Sequence, residues 1–301
     1  MNTIDASMLA VVALFGIYGL ACSAECVIAL SLALDRNHPS KRLFTPLWEI
    51  TNVFLVFGIT GVAILFNGAL PLISHKLLST LGVAAVALLL RSCLALLLFY
   101  GDSLKASRLW WWLFAVCNLA VPLSLAASGI YLMTAKPFWQ TSLGICIFAS
   151  AILAIGSFGL LVTNQHKDRR QQALGELLFL LWLLCAGSLL PLISLHTYNL
   201  LQPHSVAALT GVTAIGMVAI LAKYFFKLSF KLWQLFVPLS LAVLFILAWA
   251  NRPYFLSGSL SLQQAFGAQA FANFFLLATG ALLPFLAVAA YLFLKLYAKS
   301  E

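Results

Sequence analysis

PLWEITNVFLVFGITGVAILFNGALPLI, from Pro46 to Ile73, decides the fold class. After Glu49 it runs almost wholly apolar for more than twenty residues, and a helix needs roughly twenty such residues to cross the hydrocarbon core of a bilayer. The rest of the chain reads the same way. Of its 301 residues, 63% are hydrophobic and only 8% are charged, where soluble domains carry about 25% charged residues. Nine segments reach spanning length, at about 7–33, 48–73, 77–100, 109–134, 139–163, 173–197, 205–226, 230–250 and 270–297. The expected fold is therefore all-α and polytopic. Nine transmembrane helices would divide into a first four-helix bundle over 1–134, a second over 135–250, and an outer loop with a ninth, peripheral helix over 251–301. The flank before the first apolar segment, MNTIDAS, holds no Lys or Arg. A cleaved signal peptide has a basic start and a shorter apolar core, so this segment reads as a retained helix.

Charge sets the orientation. The loops after the second, fourth, sixth and eighth segments, with the N-terminus, carry three basic residues: Lys76, Lys136 and Arg252. The remaining loops and the C-terminus carry thirteen, among them Arg36, Lys41, Arg42, Lys105 and Arg108. Basic residues accumulate on the cytoplasmic side, so the N-terminus is expected outside and the C-terminus inside. The formal charge of +9 is then a topology signal, and no nucleic-acid partner is expected. The six cysteines all fall in apolar segments and form no CxxC pair, as small apolar residues do.

Charges inside the spans need partners or a wet path, because each costs a few kcal/mol or more in hydrocarbon. Glu25 precedes the loop residue Asp35 by ten positions, and Arg91 precedes Asp102 by eleven. At 1.5 Å per residue both lie about 15 Å from the loops, at matching depth. They are expected to form an ion pair, with Arg91 keeping Glu25 charged or orienting it. Glu49 is expected about one turn inside a second helix entering near Thr45 or Pro46, between that pair and the cytoplasm. Asn52 lies one turn along the same face as Glu49. Together Glu25, Glu49 and Asn52 could pass protons inward. The plainer alternatives stand beside this: the pair could only fix helix register, and Glu49 could only complement a helix dipole. Glu176, on the amphipathic approach RRQQALGELL, reads as interfacial.

No metal cluster, P-loop, dinucleotide fingerprint or nucleophile motif occurs, so no catalytic residue or metal ligand is assigned. The five histidines, His38, His75, His166, His196 and His204, fall in loops or at segment ends. None sits within a span, where a pair of histidines would clamp a haem, so the chain is expected to supply no redox centre of its own. Trp110, Trp111 and Trp112 follow Arg108 and read as an interfacial aromatic belt.

WEITNVFLVFGITGVAILF resembles the second-helix motif of subunit II of cytochrome bd-type quinol oxidases, a Trp followed by an acid, then a polar residue and a bulky apolar run. Three further stretches agree in order. IYGLACSAECVIALSL ends the first segment where the family often has two acids; Glu25 matches the second, and Cys22 stands at the first. Arg91, in LLLRSCLALLLFYG, matches an arginine late in the family's third helix. The ending RPYFLSGSLSLQQAFGAQAFANFFLLATGALLPFLAVAAYLFLKLY, with Pro284, is similar to the family's last loop and helix. The resemblance implies a multi-pass protein of the bacterial inner membrane. It would pair with a larger subunit that carries haems b and d and oxidises quinol while O2 is reduced to water. It would bind no haem itself, hold a structural quinone in some members, and leave room for a small accessory subunit. The competing reading is a secondary transporter with an ion or small solute bound at Glu25 and Arg91.

Overall fold

The computed structural model describes residues 3–38, 40–100, 108–163, 169–196, 203–225, 232–250, 254–256, 260–269 and 271–280. Nearly everything in them is helical. Six helices are long and apolar enough to cross a membrane: α1 (Thr3–Leu34), α2 (Lys41–Leu65), α4 (Leu78–Tyr100), α5 (Arg108–Thr134), α6 (Ser142–Thr163) and the Arg170–Ser188 part of α7 (Arg169–His196). Shorter apolar stretches lie in α8 (Pro203–Phe225), α9 (Leu232–Ala250) and α11 (Phe271–Gly280). The chain is a polytopic membrane protein. The last expected segment, 270–297, lies outside the described residues beyond Gly280.

α1 is the axle. It is apolar on every side, the pattern of a helix with no solvent face, and it packs against α2, α5, α6 and α9. α4 packs mainly on α5, and contacts among α6, α7, α8 and α9 form a second group. Where α1 meets α6, Gly159 lets the backbones touch: a methyl there would collide with Val27 and with the Ser23 carbonyl. A proline shapes another contact. Pro122, inside α5, has no N–H to give the carbonyl of Asn118, four residues back. The Cys26 thiol of α1 donates to that carbonyl instead, at 3.1 Å.

The second segment differs from its expected span of 48–73. The helix starts at Lys41, seven residues earlier, and runs through Pro46. It stops at Leu65, where FNG begins, and the chain continues as a 3-10 turn at Asn67–Ala69 and a short helix α3 (Leu70–Lys76). The segment read as an outer loop supplies the reason. Strand β1 (Tyr254–Leu256) pairs antiparallel with β2 (Leu260–Ser261), followed by α10 (Leu262–Ala265), capped by Ser261 and Gln264. Just beyond, the Gly267 N–H donates to the Leu65 carbonyl at 2.7 Å, closing the end of α2. Gly68 allows this approach, since any Cβ there would strike the Gln264 carbonyl. α11 then lies on α2, with Phe275 against Gly61 and stacked on Phe57 at 5.1 Å.

At the opposite, basic end, α1 finishes while α2 and α5 begin. The Arg108 guanidinium donates to the Ala33 and Leu34 carbonyls at 3.3 and 3.4 Å, capping the negative end of α1. The expected tryptophan belt is corrected at one of its three members, while Trp112 is exposed and Trp110 half-buried. Trp111 is buried, edge-on to Phe99 and Phe114, with Phe44 in the same cluster. The Lys41 ammonium sits over the Trp111 and Phe99 rings, at 5.7 and 5.9 Å from their centroids. Three consecutive residues on a helix point about 100° apart, so one of three tryptophans must face inward.

Candidate functional site

Four side chains from three helices meet in the first group. Glu25 lies nine residues before the end of α1, Arg91 nine before the end of α4, and Thr51 ten after the start of α2. Each is then about 14 Å from the basic end. The Arg91 Nη1 donates to Glu25 Oε2 at 2.7 Å, and both side chains are fully buried. Its Nη2 donates to Asn52 Oδ1 at 2.8 Å. The second carboxylate oxygen, Oε1, accepts from the Thr51 hydroxyl. The pairing is thus one nitrogen to one oxygen, with α2 serving the other end of each partner. Arg91 Nε, also buried, makes no hydrogen bond.

Burial explains the arrangement. A lone charge at this depth would cost several kcal/mol, and each partner offsets part of that for the other. α4 contributes through the reach of its arginine, because its backbone lies mainly on α5. On α1, Tyr18, Cys22 and Cys26 continue the lining, close enough to interact electrostatically with Arg91. Toward the basic end the interior closes with Leu32, Phe44, Leu94, Leu98 and Phe114.

Of the site residues expected from sequence, the structure brings together Glu25, Arg91 and Asn52. Glu49 is not in the group. Because α2 begins at Lys41, Glu49 is eight residues in, about 12 Å, rather than one turn. It is also exposed, on the stripe of α2 that carries Val53, Val56 and Thr60. The expected placement between the pair and the basic end is therefore corrected. Glu49 stands beside the pair at nearly the same depth, on the outside of the helix. Thr51 is the residue that sequence reasoning missed. It stands beside Asn52 on a helix that also presents an acid outward, but a threonine in an apolar helix carries no signal of its own.

Among the described residues no group of three His, Cys, Asp or Glu side chains is placed to hold a metal. Of the two histidines whose side chains are described, His75 lies in the last turn of α3, and His38 lies in the connection between α1 and α2, its ring hydrogen-bonded with the Ser40 hydroxyl at 2.7 Å.

The fold and site together define a helical multi-pass membrane protein with an acid–guanidinium network sealed inside its first helices. No protein-family model and no curated protein sequence matches the chain. Solved structures do. A chain in the structure of the bd oxidase from Geobacillus thermodenitrificans superposes with a TM-score of 0.80 over 100% of both chains, at 19% identity. The two share a fold from end to end.

Proposed function

We propose that this chain is the smaller, haem-free subunit of a bd-type oxidase complex in the bacterial inner membrane, which oxidises quinol and reduces O2 to water. The observation that carries this reading is the full-length likeness to a bd oxidase chain. The buried Glu25–Arg91 pair at the depth expected from the sequence supports it. On this reading the chain has nine helices in two groups of four plus one, with its N-terminus outside. Its partner is a larger subunit holding haems b and d. A structural quinone and a small accessory subunit are further expected companions.

The residues divide the work. Arg91 neutralises Glu25 and braces Asn52, so the carboxylate is held in one place. Glu25 accepts and releases protons there. The direct line from the basic end is filled by apolar and aromatic side chains, a poor medium for protons. The route therefore runs along α2, entering at exposed Glu49 and passing half-buried Asn52. That face of α2 would be covered by the partner subunit in the assembled complex, which would give exposed Glu49 polar company. The haems supply the oxygen chemistry in the partner, and this chain supports them and feeds protons.

Affinity purification of the full chain from its native membrane tests the proposal. A co-purifying larger subunit with Soret absorption and quinol-dependent oxygen consumption is expected. A colourless, stable homo-oligomer that moves an ion or solute would overturn it in favour of a transporter.

A further inference from the structure

The Thr51 hydroxyl has one proton and two acceptors within reach. It meets Glu25 Oε1, and its oxygen also lies 2.9 Å from the carbonyl of Trp48, one turn back on α2. We propose that Thr51 is a positioning residue that keeps Glu25 hydrogen-bonded in both of its protonation states. The proposal rests on the reading of Glu25 as a proton carrier.

An ionised carboxylate only accepts hydrogen bonds, whereas a carboxylic acid must also donate one. With Glu25 ionised, Thr51 donates to Oε1. When a hydronium ion delivers a proton, one of its O–H bonds breaks, it leaves as water, and the proton binds Oε1, because Oε2 is engaged by Arg91. The new O–H then donates to Thr51 Oγ1, and Thr51 turns its own proton onto the Trp48 carbonyl. No heavy atom of the protein moves, one O–H bond forms on Glu25, and its charge goes from −1 to zero. Release runs the same steps backwards. The hydroxyl's rotation is what the site needs, since Thr51 is fully buried and no bulk water replaces a lost partner. Among the described residues, the ionisable groups that interact with Glu25 are Arg91 from α4 and Tyr18 and Cys26 from α1, with Cys22 next to these two. α2 offers Thr51 and Asn52, while its own acid, Glu49, faces away.

Infrared difference spectra between acidic and alkaline pH test this on the purified full chain with whatever subunits accompany it. A carboxylic C=O band that disappears in Glu25→Gln belongs to Glu25. In Thr51→Val, which exchanges the hydroxyl for a methyl, that band is expected to shift to higher frequency, as a C=O stretch does when the acid loses its hydrogen bond. Thr51→Ser should keep it in place. If Thr51→Val does not accumulate, Thr51→Ala removes the hydroxyl without added bulk and carries the same expectation. A Glu25 band unmoved in the hydroxyl-free variant overturns the role of Thr51 and leaves Glu25 as a carrier. Absence of any Glu25-dependent band overturns both.

Discussion

Two glutamates on neighbouring helices, at nearly the same depth, have opposite surroundings. Glu25 is sealed in, with Arg91 on one oxygen and Thr51 on the other. Glu49 is exposed, on a stripe with Val53 and Val56. The contrast shows what a membrane helix demands of an acid. One that faces inward must bring its partners from its own bundle; one that faces outward must find them in a neighbouring subunit or in water.

The comparison breaks most severely at Arg91. Arg91→Met leaves Glu25 buried without its counter-charge, a loss of about 3–5 kcal/mol. Thermal unfolding in detergent should show it, and Glu25→Gln added to Arg91→Met should restore much of the loss, as coupled residues do. Gly159→Val is next. It forces α6 away from α1 beside Glu25 and should cost about 1–3 kcal/mol by the same measurement. Cys26→Ala removes the donor that answers Pro122 and should cost about 1 kcal/mol, while Cys26→Ser keeps most of it. Glu49→Gln is the smallest change to the chain's own stability, within about 0.5 kcal/mol, since the side chain is exposed.

How far the sequence reached follows the same logic. A charge inside a span announces that it needs a partner, so Glu25, Arg91 and their common depth were legible from spacing alone. Asn52 was legible as polar, though Arg91 rather than Glu49 turned out to be its company. Thr51 was silent, because a threonine in an apolar helix usually bonds its own backbone, and this one does that as well. The outward face of Glu49 was hidden because the residues that continue its stripe, Val53 and Val56, are apolar, as lipid- or partner-facing positions are. The cysteine at position 26 looked like filler until the proline at 122 gave it a carbonyl to serve. The break after Leu65 was written in FNGALP, yet it takes the distant Gly267 to close it.

The central claim is that Glu49 admits protons at a face shared with a partner, while Glu25 holds them inside. The direct measurement compares Glu49→Gln with the unaltered chain in the assembled complex, recording oxygen consumption together with charge separation across the membrane. The account predicts an intact complex in which both fall. Unchanged oxygen consumption and unchanged charge separation would contradict it and leave Glu49 with a structural part only.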